Sequence, residues 1–314
     1  MARVVTLTMN PSIDLSVSVE RVLPFHKLRC AEGRRDPGGG GINVARVMKR
    51  LGADVIAIYA AGGTLGQLLR QLIDAEGIPA STVAISGETR EDFTVLEQST
   101  GAQYRFVLPG PHVAEREWRI CLNELVALDS GTRFIIGSGS LPPGVPDDFY
   151  GRVAQLAKQD SRKIVIDSSG PALRAAIEAG VYLIKPSLNE FRGLTGADVP
   201  LETQADWIEA CRGLLHRGRV EVVTLTLGDR GALLVTRDQV LRAAALAIKP
   251  VSIVGAGDSF LGAMIWSLAA GHGLETAFRY GVAAGSAALL MPGTELCRRE
   301  DVERLFKDVR VEAI

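Results

Sequence analysis

The chain has 314 residues, 47% of them hydrophobic and 23% charged. This is ordinary globular composition for one large or two smaller domains and excludes a largely disordered chain. Thirty-five Lys and Arg against 36 Asp and Glu leave a formal net charge of −1, so bulk charge does not hold the protein on nucleic acid or on an anionic membrane. Any anion it binds must be held by local arrangement. The four cysteines, Cys30, Cys121, Cys211 and Cys297, are far apart and form no CxxC, which reads as incidental thiols in a reducing compartment. The start of the chain shows no apolar run ending in a cleavage site, and the longest uncharged stretches, 259–274 and 280–294, fall short of the ~20 residues a bilayer requires. The expectation is a cytoplasmic protein with neither a membrane nor a nucleic-acid partner.

Residues 3–9 form a short β-branched run, the pattern of a buried strand, and residues 13–19 alternate apolar and polar as a half-exposed strand does. Residues 28–35 are mixed, and 92–98 with 103–108 read as a hairpin about Thr100-Gly101. These two-faced segments predict a small sheet that folds back on the main body as a lid, inserted at about 13–35 and 90–108 of a single domain spanning 1–314.

After the glycine run at 38–41 the rhythm changes. Helices over 42–51, 65–76, 114–128, 147–159, 171–179 and 203–216 each lead to a short apolar strand, over 54–60, 82–86, 132–138, 163–167, 181–185 and 220–226. A strand pair at 231–244 and helices over 257–271, 274–290 and 299–308 complete the chain. The alternation predicts an α/β fold in three layers, a mostly parallel sheet covered on both faces. Ligands of such sheets bind beyond the carboxyl ends of the strands, where the glycine-rich and acidic segments fall. No fixed-period repeat, low-complexity tract or interdomain linker is evident.

Five segments carry chemistry. Gly255-Ala256-Gly257-Asp258 precedes an apolar helix. Two glycines at a helix start let backbone N–H groups converge on an anion, and the helix dipole adds about half a positive charge. Asp258 stands at the mouth of that pocket, able to accept a proton from a nucleophile; as a bare pattern it is also an ordinary helix N-cap. The run Gly38-Gly39-Gly40-Gly41 costs backbone entropy that suits a close approach to the main chain, and Asn43 after it offers a donor and an acceptor to a polyol. Asp14 follows the first strand and could grip sugar hydroxyls. Lys185 and Glu190, in a strand–turn–helix segment, suit a phosphate and a magnesium ion. Thr226 to Gly231 is a glycine-punctuated turn that could clasp a nucleotide or simply close a hairpin.

Other nucleotide motifs are missing. No lysine follows a glycine, so there is no Walker loop, and neither 38–43 nor 255–260 fits G-x-G-x-x-G. The histidines, at 26, 112, 216 and 272, are scattered.

Taken together, GGGGINVAR (38–46), KPxxxE (185–190), LGxxGA (227–232) and GAGD (255–258) resemble the ribokinase-like sugar kinases of the PfkB family, nearly end to end. HKLRC, QYRFVLPGP, SGSLPPGV and IDSSG are most similar to the 6-phosphofructokinase branch of that family. The resemblance implies transfer of the ATP γ-phosphoryl to the C1 hydroxyl of fructose 6-phosphate. It implies Asp258 as catalytic base, with Gly255, Ala256 and Gly257 as anion hole. Asp14, Gly39, Gly40 and Asn43 would hold the sugar, with Lys27, Arg90 and Ser140 on the same side. Lys185, Ser187, Thr226, Gly228, Gly231 and Ser286 match nucleotide-side positions. Glu190 and Asp167 match magnesium-side carboxylates, and Ser252, Val254, Ala288 and Gly293 match a monovalent-cation (K+) site. ATP, Mg2+ and a sugar phosphate are thus the expected ligands, and a lid-to-lid homodimer the expected assembly. One departure stands out: Ser187 occupies the place of the family's usual Asn in NxxE. Phosphorylation of fructose 1-phosphate or tagatose 6-phosphate, and a non-catalytic sugar-phosphate sensor, remain as alternatives.

Overall fold

The computed structural model describes residues 3–196, 199, 201–216 and 218–314. A ten-stranded sheet forms the spine. In chain order its strands are β1 (Arg3–Thr8), β4 (Val55–Ala61), β5 (Ala80–Ala84), β8 (Thr132–Ser138), β9 (Lys163–Asp167), β10 (Val181–Ile184), β11 (Val220–Thr226), β12 (Ala232–Val235), β13 (Val240–Ala243) and β14 (Val311–Ala313). Their spatial order is β14-β13-β12-β11-β10-β9-β8-β1-β4-β5, parallel from β5 to β11 and antiparallel beyond it.

Strand side chains alternate between two cores. Val4, Val55, Ala57, Phe134, Ile136, Val165 and Val222 face one; Val5, Leu7, Ile58, Ile135, Ile164, Ile166 and Val223 face the other. The first is covered by α1 (Gly40–Arg50), α2 (Gly63–Ala75), α8 (Ala256–Ala269), α9 (Leu274–Ala288) and α10 (Arg299–Phe306). The second is covered by α3 (Glu115–Val126), α4 (Phe149–Gln159), α5 (Gly170–Ala179), α6 (Leu188–Thr195) and α7 (Gln204–His216). Burial on both faces is why these strands read as continuous apolar runs. Helices α1 and α8 come close because Gly262 has no side chain: a Cβ there would stand 3.0 Å from Val47 and 3.1 Å from the Val44 carbonyl.

A second sheet of four strands, β2 (Ser12–Val19), β3 (Arg34–Gly38), β6 (Arg90–Glu97) and β7 (Gln103–Phe106), runs in the order β3-β2-β6-β7. The small lid sheet is present as expected, but its second strand spans 34–38 rather than 28–35 and so runs past the 13–35 segment. RRDPG has no alternation to announce a strand, and its proline is tolerated because β3 is an edge. The register gives the lid two faces. Leu15 pairs with Phe93, Val17 with Val95, Phe93 with Phe106 and Val95 with Tyr104, on one face. Asp36, Asp14 and Asp92 form a row on the other.

Of the cysteines, Cys30 is exposed and the other three are buried, all free. Among the described residues no helix is long and apolar enough to cross a membrane.

Candidate active site

Strand ends and helix starts of the large sheet meet the charged face of the lid around a cavity of about 260 Å3. Its floor holds Ser138, Gly139 and Ser140 at the end of β8, Asp167, Ser168 and Ser169 at the end of β9, Glu190 on α6, and Asp258 on α8. Gly39, Gly40 and Asn43 enter from the start of α1, and Ser12, Arg90, Asp92 and Arg105 come from the lid.

The glycine run is there because backbones nearly touch. A Cβ on Gly41 would lie 2.8 Å from the Leu7 carbonyl, and one on Gly40 would collide with Ser138 Oγ. Gly39 has φ of +109°, a conformation that L side chains rarely adopt. The chain can therefore turn from β3 into α1 directly beneath the cavity. Asn43, buried in the first turn, donates from Nδ2 to Asp258 Oδ2 at 2.9 Å.

Asp258 lies in the first turn of α8, after Gly255 in the left-handed region at φ +76°. The first N–H groups of a helix have no partner within it, and the macrodipole makes that end positive. Lys185, just after β10, leans against this turn; a Cβ on Gly257 would stand 3.2 Å from its Nζ. Lys185 Nζ also reaches Asp167 Oδ2 at 3.1 Å.

These charges are held away from water. Burial pushes the Asp258 carboxyl above its ordinary range, against the Asn43 hydrogen bond and the fields of Lys185, Arg105 and Arg46. Burial also pushes Asp167 up to about 7, against Lys185, while Asp258 and Glu190 add repulsion. For Lys185 burial pulls downward, but Asp167, Asp258 and Glu190 outweigh it and the ammonium is held above its usual value. In the lid, burial raises Asp14, against a 2.7 Å hydrogen bond from Ser12 Oγ and the field of Arg105, with Asp92 adding repulsion. Carboxylates directly opposite one another repel; here Arg34 pairs with Asp36 at 2.8 Å and Arg90 with Asp92 at 3.1 Å.

Ser187, the departure from the family pattern, is the N-cap of α6. Its Oγ accepts from Glu190 N at 3.3 Å and donates to Glu190 Oε2 at 2.8 Å, and its own N–H donates to the same oxygen at 2.7 Å. This reciprocal capping box fixes one Glu190 oxygen.

Of the residues singled out from sequence, Gly39, Gly40, Asn43, Arg90, Ser140, Asp167, Glu190 and Asp258 line the cavity. Asp14 lies beside it, buried, at the lid root. Lys27 is exposed in the 20–33 connection and does not line the cavity. Thr226, at the end of β11, donates from its N–H to the Pro186 carbonyl at 3.0 Å, next to Ser187. Gly228 and Gly231 form the turn after it, and Ser286 lies on α9; none of these lines the cavity. Ser252 Oγ donates to the Gly293 carbonyl at 3.3 Å, which brings two of the four K+ candidates together; Val254 follows in the same loop and Ala288 ends α9. Sequence reading missed Arg105, Asp92, Ser12, Ser138, Gly139, Ser168 and Ser169. Two signals were present: Arg105 falls within the motif QYRFVLPGP, and Asp92 alternates in phase with Arg90 on β6.

Residues 4–301 match the profile of the pfkB family carbohydrate kinases. The chain belongs to this family. The kinase is 45% identical over 305 residues to "ATP-dependent 6-phosphofructokinase isozyme 2" of Mycobacterium tuberculosis, covering 97% of this chain and 89% of that one. Among solved structures, phosphofructokinase-2 from Escherichia coli in complex with potassium superposes with a TM-score of 0.93 at 38% identity, over 98% of this chain and 99% of that one. The same Escherichia coli enzyme in complex with fructose-6-phosphate gives a TM-score of 0.92 at 36% identity, with the same coverage. The kinase therefore has the expected ribokinase-like fold, with its cavity between sheet and lid.

Proposed function

We propose that the kinase transfers the γ-phosphoryl group of ATP to the C1 hydroxyl of fructose 6-phosphate, giving fructose 1,6-bisphosphate. The observation that carries this reading is Asp258 in the first turn of α8, lining the same cavity as two lid guanidiniums, Arg90 and Arg105. A partly buried carboxylate at a helix N-terminus suits a hydroxyl attacking a phosphoryl group. Two lid cations suit an acceptor that already carries a phosphate. The names of the relatives support the same substrate.

Phosphoryl transfer passes through a loose transition state, so the protein chiefly positions reactants and stabilises charge. Asp258 orients the C1 hydroxyl and takes its proton late, as the new O–P bond forms. The N–H groups of Gly255, Ala256 and Gly257, with Lys185 beside them, balance charge on the transferring phosphoryl. Asp14, Gly39, Gly40, Asn43 and Ser140 hold the sugar, while Arg90 and Arg105 hold its 6-phosphate. Thr226, Gly228, Gly231, Ser187 and Ser286 serve the nucleotide side. The lid closes the site to water and so limits ATP hydrolysis.

Hard oxygen donors suit Mg2+, which takes one or two carboxylates plus phosphate oxygens. Glu190 and Asp167 line the cavity together, and Glu190 keeps one oxygen outside its capping box. When bound there, Mg2+ would neutralise phosphate charge. The Ser252, Val254, Ala288 and Gly293 loops offer the oxygens a K+ ion prefers. The apolar lid face, with Tyr104 and Phe106 exposed, supports a lid-to-lid homodimer. One domain with an inserted lid, working in the cytoplasm, completes the reading.

A coupled assay with ATP, Mg2+ and a panel of hexose phosphates tests it. Fructose 6-phosphate is expected to give the highest kcat/KM. A preference for fructose 1-phosphate or tagatose 6-phosphate would reassign the substrate, and binding without turnover of any of them would favour a sensor.

A further inference from the structure

We propose that Arg46 is a positioning residue that sets the orientation of the Asn43 amide and, through it, the carboxylate of Asp258. The proposal rests on the reading of Asp258 as the base.

Arg46 is only 1% exposed, yet carries a full charge in the interior. Burying a guanidinium is costly unless its donors are met, and here Nε and Nη1 both find acceptors. Nε donates to Glu76 Oε1 at 2.7 Å. Nη1 donates to the Pro37 carbonyl at 3.1 Å, the Thr294 carbonyl at 2.9 Å and Asn43 Oδ1 at 3.3 Å. Nη2 lies 3.7 Å from Asp36 Oδ1. One guanidinium thus ties together the end of β3, helix α1, the C-cap of α2 and the loop after α9.

Asn43 and Arg46 are one turn apart on the same face of α1. Arg46 has only donors, so the amide atom that faces it must be the oxygen. The amide nitrogen is then turned the other way, toward Asp258 Oδ2 at 2.9 Å. An ionised carboxylate has only acceptors, so the reverse orientation would set oxygen against oxygen. A chain of two hydrogen bonds, Arg46 to Asn43 to Asp258, therefore selects the one amide orientation that keeps the base in place. Lysine could not replace it: its point charge has no planar fork to span a carboxylate and three carbonyl-type acceptors.

A double-mutant cycle read on kcat tests the proposal. Arg46→Gln, and Arg46→Lys in case the loss of buried charge prevents folding, is combined with Asn43→Ala. Loss of a charge-assisted hydrogen bond predicts a fall of about tenfold to a hundredfold in kcat for each single variant. KM for the sugar phosphate in the Arg46 variants is expected to change less than about threefold, because an interaction used chiefly in the transition state lowers kcat rather than raising KM. In the Asn43→Ala background the Arg46 substitution should cost little more, because its effect passes through the missing amide. Losses that multiply in the double variant, or an unchanged kcat in Arg46→Lys and Arg46→Gln, would overturn the proposal. Asp258→Asn is measured alongside. Near-normal kcat there would overturn the base itself and this inference with it, whereas a dead Asp258→Asn with multiplying losses would overturn the inference alone.

Discussion

Lys185 Nζ stands 3.1 Å from Asp167 Oδ2, each side chain largely withdrawn from solvent at the ends of the adjacent strands β10 and β9. The pair brings opposite charges to the cavity floor while leaving neither unpaired. Removing one partner of such a pair strands the other. Lys185→Met should therefore destabilise the fold by ~3 kcal/mol in denaturant unfolding and raise KM for ATP. Unchanged stability would mean that water already serves Asp167.

The partly buried Asp258 carboxyl has its pKa raised by desolvation, against the lowering effect of its Asn43 hydrogen bond. The proposed role of Asp258 as base requires the ionised form, so activity is expected to fall as pH drops through this raised value. Asn43→Ala removes a lowering influence and should move the acid limb of the kcat profile to higher pH. For stability the sign is opposite: a carboxyl with a raised folded pKa favours the fold at low pH, and that contribution is lost as pH rises through the folded value. Asp258→Asn should thus have the higher Tm at pH 8, with the advantage vanishing below about pH 4. A lower Tm at pH 8 would contradict the linkage.

Arg105 reaches the cavity from β7, and its field acts on both Asp14 and Asp258. Arg105→Ala should raise KM for fructose 6-phosphate by about tenfold to a hundredfold, the value of a charge-assisted contact, while KM for ATP stays near normal. Equal effects on the two substrates would remove it from the sugar side.

Phe106 is 55% exposed and continues an apolar stripe with Phe93 and Leu15 across the lid. Exposed apolar stripes of this kind mark interaction surfaces. The proposed lid-to-lid dimer predicts that Phe106→Glu lowers the mass seen in light scattering from that of a dimer toward that of a monomer. A wild-type monomer at micromolar concentration would remove the dimer.

The sheet spine was legible because a strand buried on both faces needs an unbroken apolar run, and β8, β9 and β11 match the sequence boundaries residue for residue. Helix ends shifted by one or two residues, as at α8 and α9. β14 escaped because Val311-Glu312-Ala313 is short and charged and is a strand only through its pairing with β13. Asp258, Asn43 and the glycines were legible because a helix N-terminus and a close backbone approach constrain the residue types themselves. The carboxylate row Asp36, Asp14 and Asp92 was not. It exists only through the register of three strands drawn from distant parts of the chain. Lys27 shows the reverse: a cation near lid strands in sequence that the chain leaves exposed.

The most direct test of the account is kcat for Asp258→Asn with ATP and fructose 6-phosphate. A positioned general base contributes about a hundredfold to ten-thousandfold, so kcat should fall by that much while both substrates still bind within a few-fold of their wild-type Kd. A variant that turns over at near wild-type rate would contradict it.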